Sequence, residues 1–243
     1  TTALGSYIAV IDKGRTRYSE QSLIRASQIY YKRSDYRNAV KMYKRLQKET
    51  SDPEVKNNAT VNLLLAFMNL EELDSATVYA AAVLDVPKLP SGIAVKAHYL
   101  LGRDEFAKMN DKAAEQHFQK VIKELPLTNF AAEANYSILV IKYRRKEYKK
   151  VEKEGLKFVS DYAGYPQWSG RAMILLADNY VAMKDKFQAK LVLQNYIDNG
   201  DVPELVQEAK DKLAAIVAEE NATQRKAPEE IEVPIDSQEG GGQ

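Results

Sequence analysis

The sequence predicts an all-α protein, an elongated α-solenoid of stacked antiparallel helix hairpins, and three observations carry that expectation. Apolar residues recur with helical spacing, prolines punctuate the chain at near-equal intervals, and one small residue returns every 37 or 38 positions. The spacing is clear early in the chain: Leu23, Ala26, Ser27, Tyr30 and Tyr31 fall at i, i+3, i+4, i+7 and i+8, one face of a helix. After the polar link Arg33-Ser34-Asp35, a second stripe follows in Tyr36, Ala39, Tyr43 and Leu46. Before the C-terminal tail the prolines are Pro53, Pro87, Pro90, Pro126, Pro166 and Pro203. Counted from Pro90 of the close pair, the intervals are 37, 36, 40 and 37 residues. Proline cannot donate to a helix and pushes its predecessor out of the helical region, so it stops helices. Stops this regular imply a repeated unit of two helices, each of ~12–16 residues.

The small residue of each second helix gives the alignment. Ala39, Ala76, Ala114, Val151 and Ala189 are separated by 37, 38, 37 and 38 residues. Four positions later stand Tyr43, Ala80, Phe118, Gly155 and Leu193, and three further on Leu46, Val83, Val121, Phe158 and Tyr196. Two antiparallel helices approach closely only where a small side chain faces the crossing, and the residues one turn away then fill the seam. A single hairpin cannot bury both its faces, so each copy must stack on the next.

These residues resemble the tetratricopeptide-repeat (TPR) family. Leu101-Gly102 in one helix, then Ala114, Phe118, Val121 and Pro126, match its hallmark positions, and Tyr30 to Ala39 followed by Tyr43 match more closely still. Ala177, Tyr180, Asp185 and Ala189 repeat the theme. Glu105 and Lys142 depart from the family at a first-helix aromatic position, and Val151 with Gly155 makes the fourth repeat the least typical. The resemblance covers about residues 1–200 and implies a right-handed superhelix. Residues 1–18 read as the second helix of a truncated repeat, with Ala3, Tyr7 and Val10 in the seam pattern, as in a fragment cut from a longer array. Residues 19–203 hold about five hairpins, 204–220 a capping helix, and 221–243 a disordered acidic tail, poor in large apolar residues.

Composition narrows the function classes. The chain has 243 residues, no cysteine and a net charge of +1, so it has no disulfide, thiol nucleophile or Cys-ligated zinc. Residues 219–243 carry −5, leaving a body of about +6, too mildly basic for a dedicated nucleic-acid binder. No apolar run approaches the ~18–20 residues of a membrane span. His98 and His117 have no ligand-spaced companions and read as structural or surface residues. No nucleophile elbow, phosphate loop, dinucleotide fingerprint or HExxH helix is present, so no catalysis, cofactor or metal is expected. The basic run from Lys142 to Lys153 spans a helix end, a turn and a helix start, with Glu147 and Glu152 interleaved, and reads as solvated charge.

The resemblance supplies the functional expectation: a non-enzymatic scaffold that binds a peptide or protein along its concave groove. On the first-helix positions that line that groove stand Tyr31, Lys96, Tyr99, Arg103, Tyr136, Tyr143 and Arg144, candidate partner-binding residues that join contact area to hydrogen bonding. The carboxylate clamp of chaperone-tail binders is not matched, because Ile24, Gln28, Val61 and Leu65 take those places. Alternatives are a spacer segment of a larger envelope assembly, or the accessory region of an enzyme whose catalytic domain lies elsewhere. The stretch from Tyr165-Pro166-Gln167-Trp168 to Ala189 is similar to the C-terminal part of long TPR proteins of Bacteroidetes-type bacteria, which implies the periplasm or outer-membrane periphery.

Overall fold

Asp52 and Pro53 show how the sequence starts a helix: the Asp52 carboxylate accepts from the Glu54 amide at 2.8 Å, and Pro53 occupies the first turn, where its missing N–H costs nothing. The computed structural model describes residues 2–14 and 16–224. Those residues form twelve α-helices and no strand: α1 (Thr2–Asp12), α2 (Ser19–Lys32), α3 (Tyr36–Glu49), α4 (Pro53–Asn69), α5 (Leu73–Leu84), α6 (Ser91–Ala107), α7 (Asp111–Glu124), α8 (Asn129–Arg144), α9 (Tyr148–Asp161), α10 (Pro166–Ala182), α11 (Lys186–Asn199) and α12 (Pro203–Gln224). Each helix packs on the next, giving hairpins α2/α3, α4/α5, α6/α7, α8/α9 and α10/α11 with α1 and α12 outside them. From α6 onward the even-numbered helices also touch one another, α6 on α8, α8 on α10 and α10 on α12, whereas among the described residues α2, α4 and the odd-numbered helices make no comparable contacts of this kind. Successive elements draw together on the inside of a bend, so α6, α8, α10 and α12 form an inner row, and α2 and α4 hold the equivalent place in their hairpins.

The seam residues sit where their spacing requires. Ala39, Ala76, Ala114, Val151 and Ala189 are all 0% exposed, and their one-turn neighbours Tyr43, Ala80, Phe118 and Leu193 are buried with them. Gly155 on α9 faces the next hairpin: a Cβ there would meet the Leu176 side chain of α10 at 2.8 Å, so glycine lets the fifth hairpin stack closely on the fourth. Gly102 likewise lies against the Phe118 ring, 2.7 Å from where its Cβ would be. Ala3 differs from the other small residues. It is exposed, and α1 instead buries Ile11 while Leu4, Tyr7 and Ile8 lean on the core; among the described residues no helix crosses α1 at Ala3.

Each hairpin turns in the same way, on residues that carry no obvious turn signal. Ser34, Glu71, Met109, Lys146 and Lys184 have φ between 58° and 64°, the left-handed conformation, at steps matching the repeat. The amide after each reaches back to a first-helix carbonyl: Asp35 to Tyr30, Glu72 to Phe67, Asn110 to Glu105, Glu147 to Lys142 and Asp185 to Tyr180, at 2.9–3.0 Å. Glu105 and Lys142, where an aromatic was expected, also bind the following helix start or body, Glu105 through Asn110 at 2.6 Å and Lys142 through Glu154. At the C-terminal end α12 continues past 220 to Gln224, with the Thr223 hydroxyl bonded to the Glu219 carbonyl, so the expected boundary at 221 moves. Residues 225–243, the rest of the expected disordered tail, lie outside the described residues.

Candidate functional site

The inner row of even helices carries the expected groove positions, and the structure divides them into two chemically different stretches. Along α2 and α4 the positions are Ile24, Gln28, Tyr31, Val61, Leu65 and Met68, none of them charged. Ile24, Gln28, Val55, Asn58 and Asn62 line an open cleft of about 320 Å3 between these helices. Gln28 and Asn58 are exposed, and among the described residues their side-chain amides make no hydrogen bond. Further along α2, the Tyr31 hydroxyl accepts from Asn69 Nδ2 of α4 at 3.2 Å, and its ring stands edge-on to Tyr36 at 5.2 Å. Burial is the main cause that pushes the Tyr31 phenol up.

From α6 onward the same positions are tied to one another. The Tyr99 hydroxyl donates to Glu133 Oε2 at 2.5 Å, and Arg103 Nε lies 3.0 Å from Glu133 Oε1. Tyr99 is only 6% exposed, edge-on to Phe130 at 4.8 Å, with the Arg103 guanidinium 5.6 Å from its ring centre. Burial first, and Glu133 second, push its phenol far up. The expectation of an open Tyr99 ring in a trough is therefore corrected: α8 supplies Phe130 and Glu133, which cover the ring and take its hydroxyl. Lys96, half-buried on α6, makes no ion pair among the described residues.

Tyr136 stays half-buried, with Trp168 of α10 tilted against it at 5.8 Å and Arg171 beside its hydroxyl. Burial raises its phenol while Arg171 opposes the shift. Tyr143 stands 5.9 Å from Tyr148; burial raises it too, with Asp178 second. Asp178 in turn holds Lys212 of α12 at 2.8 and 3.0 Å. Arg144 is a second correction. Its guanidinium packs 4.3 Å from the Phe106 ring centre, 3.3 Å from Asp111 Oδ1 and against Met109, so it serves the α6–α7 turn rather than a trough. Tyr99, Arg103, Tyr136 and Tyr143 thus share a row but not one continuous open surface. The staples, Glu133, Trp168, Arg171, Asp178 and Lys212, were missed by sequence reasoning, although each lies within about one repeat of its partner.

Two further features lie where α6 packs on its neighbours α5 and α7. Leu73, Thr77, Val78, Leu100, Arg103 and Asp104 line an open cleft of about 580 Å3 between α5 and α6, without a nucleophile–base pair. His98 and His117 meet across the α6–α7 seam, Nδ1 to Nδ1 at 2.9 Å. Burial, then Lys120, lowers both imidazoles, His98 to about 4, so the pair is neutral at pH 7 with one ring donating to the other. Among the described residues no group of three or more His, Cys, Asp or Glu is placed to hold a metal ion, and no helix is long and apolar enough to cross a membrane.

No protein-family model and no curated protein matches the chain. Solved structures do. MamA is 17% identical, with 82% of this chain and 96% of that one covered at a TM-score of 0.52. BtubC from P. vanneervenii is 13% identical over 97% of this chain and 94% of that one at 0.48. The TPR2AB domain of yeast Sti1, in its pHSP90 complex, is 12% identical over 91% and 88% at 0.36. At such identity the likeness to MamA speaks for the fold alone, and that fold is an all-α array of TPR-like helix hairpins.

Proposed function

We infer that the chain is a non-enzymatic interaction scaffold whose inner row receives an extended segment of a protein partner. The observation that carries this reading is the α2–α4 cleft, where half-buried Ile24 and Val55 lie beside the unbonded amides of Gln28 and Asn58. An amide offers both a donor and an acceptor, which is what a peptide main chain needs, and apolar neighbours supply contact area. In this reading Tyr31, Lys96, Tyr136 and Tyr143 are partner-facing, while Tyr99 and Arg103 act through Glu133 and Arg144 drops out. The bacterial cell envelope is the setting we propose, on the C-terminal resemblance alone.

The test is selection of peptides from a random display library on the whole chain. Enriched extended peptides should lose at least about tenfold in affinity, some 1.4 kcal/mol, on Gln28→Asp or Val55→Asp. The exposed change Leu156→Asp on α9 should leave their binding unchanged. Enrichment of nothing, or of peptides sensitive only to Leu156→Asp, would overturn the assignment. The Glu133 and Asp178 staples favour a second reading, a stiff spacer whose inner row only packs on itself; a library that enriches nothing is its expected result.

A further inference from the structure

Every exposed residue of α3 is a cation. Arg37, Lys41, Lys44 and Lys48 stand at i, i+4, i+7 and i+11, so they fall within about 60° of arc and form a line ~16 Å long. Among the described residues none of the four has an ion pair. Lys44 lies 5.1 Å from the centre of the Phe67 ring. The carboxylates beside the stripe are already engaged: Asp35 caps α3 by accepting from the Asn38 amide at 3.2 Å, and Glu49 holds Arg45 at 2.7 Å.

Packing does not impose this choice. One repeat on, the same exposed positions carry Asp74, Val78, Ala81 and Asp85, and three repeats on they carry Lys149, Lys153, Leu156 and Ser160. Local electrostatics opposes it. Cations one turn apart on a helix repel each other, and Arg37 sits in the first turn, where the helix dipole disfavours positive charge. On α9 such charges are offset within the helix and its turn: Lys149, Lys150 and Lys157 pair with Glu152, Glu147 and Asp161. A feature held against local preference, at positions the fold leaves free, points to a use outside the chain.

We propose that the α3 stripe is a docking face for an acidic helix of a protein partner, separate from the α2–α4 cleft and independent of what that cleft receives. Its width selects a single segment. Lys44 rests on Phe67, Phe67 stacks on Tyr79 of α5 at 5.7 Å, and α5 exposes the carboxylates of Asp74 and, at its end, Asp85. On the other side Asp12 is exposed at the end of α1, next to Ile11, whose carbonyl takes the Arg45 guanidinium at 3.2 Å. A nucleic-acid duplex or a membrane surface laid over α3 would meet these carboxylates, whereas one helix along the stripe would not. α3 also exposes no large apolar side chain, which a membrane-surface contact uses for insertion. Glutamates on a partner helix recur at the same ~5–6 Å steps as the four cations, so one register matches all of them. Exposed pairs of this kind steer and orient a partner more than they hold it, and salt screens them.

The probe is a labelled alanine-based helical peptide with Glu at i, i+4, i+7 and i+11, titrated with the whole chain in ~50 mM salt and followed by fluorescence anisotropy. Saturable binding is expected, and Lys41→Glu combined with Lys44→Glu should weaken it at least about tenfold. The charge-matched pair Lys149→Glu with Lys153→Glu on α9 should change it by less than about twofold. Equal losses in the two variants would show a response to net charge alone and overturn the proposal. So would a peptide that does not bind, or a glutamine version that binds equally well. Duplex DNA and phosphatidylserine vesicles are titrated alongside; stripe-dependent binding of either, tighter than that of the peptide, gives the face to a phosphate surface and overturns the proposal. The α3 substitutions set carboxylates within reach of Arg37 and Lys48, so the helical spectrum should hold. Should it not, Lys41→Gln with Lys44→Gln is used instead: a loss of at least about threefold supports the docking face, and unchanged binding overturns it.

Discussion

At the α2–α4 end of the inner row the lining positions are Ile24, Gln28, Val61 and Leu65, whereas from α6 to α12 they include Tyr99, Arg103, Glu133, Arg171, Asp178 and Lys212. The seam behind both stretches is the same, with the small crossing residues wholly buried from Ala39 to Ala189. The difference teaches that stacking leaves the inner face free to vary, within one condition. A charge taken out of water gains from a partner, and the pairs Arg103–Glu133 and Asp178–Lys212 close the charged inner face on itself across the repeats, with Lys96 left outside them. An uncharged face of amides and aliphatic groups has no such need and stays open.

The largest expected effects should be blind to this division. Ala39→Trp at one end and Ala114→Trp or Ala189→Trp at the other each force an indole into a crossing with no space, at a cost of ~3 kcal/mol or more. Thermal melts followed by circular dichroism should show losses of similar size in all three. A loss confined to one end would mean that the seams, and not only the faces, differ.

Next comes a change that separates the two ends. Glu133→Ala leaves the buried Tyr99 hydroxyl without its acceptor and Arg103 without its ion partner, and should cost about 2 kcal/mol, with Glu133→Gln recovering part of it. Asn58→Ala in the open cleft should stay within about 0.5 kcal/mol of the unaltered chain. Urea melts check both; equal losses would remove the contrast between a stapled and an open face.

The same contrast explains what the sequence made legible. The repeat frame could be read because seam residues answer to a local rule: a crossing tolerates only a small side chain, and that requirement returns with each repeat. The inner face answers to residues one repeat away. Tyr99 is covered because Phe130 and Glu133 stand on the next inner helix, and nothing near Tyr99 in sequence says so. Arg144 has groove spacing but finds Phe106 and Asp111 in the previous hairpin. The turns hid for another reason: Glu71, Met109 and Lys146 adopt positive φ without glycine, since the tertiary frame imposes the conformation.

Acid should act on the α6–α7 hairpin, which holds both histidines. His98 has its pKa lowered from 6.5 to about 4 in the folded chain, so the unfolded chain binds the proton more readily. The stability this contributes is therefore present above pH 6.5 and is lost as pH falls from there to about 4. Because the ring is partly exposed, solvent screening reduces the loss to roughly 1–1.5 kcal/mol. His98→Gln should remove that part of the pH dependence; denaturant melts at pH 7 and 4.5 with unchanged difference between the two chains would refute it.

A smaller effect is expected at the far staple. Asp178 and Lys212 are each about one-third exposed, so Asp178→Asn should cost only about 0.5 kcal/mol and the difference should vanish in molar salt. A salt-insensitive loss would show that Asp178 acts through packing, and the α10–α12 inner face would then resemble α2–α4 more than α6–α8.

The smallest expected effect is a gain, and it tests whether the hairpins themselves are alike at both ends. Lys146 sits at φ 60°, where a side chain with a Cβ is strained by about 1–2 kcal/mol. Glycine removes that strain but frees the unfolded chain, which returns roughly 0.5–1 kcal/mol to the other side. Lys146→Gly should therefore stabilise by a few tenths of a kcal/mol, and Glu71→Gly, at the same φ in the α4–α5 turn, by a similar amount. The neighbouring Arg145, at φ −77°, has no strain to relieve, so Arg145→Gly should destabilise by about 1 kcal/mol. Opposite signs at adjacent residues, measured by urea melts, fit a turn set by backbone geometry; a loss at both would mean that the Lys146 side chain contributes more than its conformation costs.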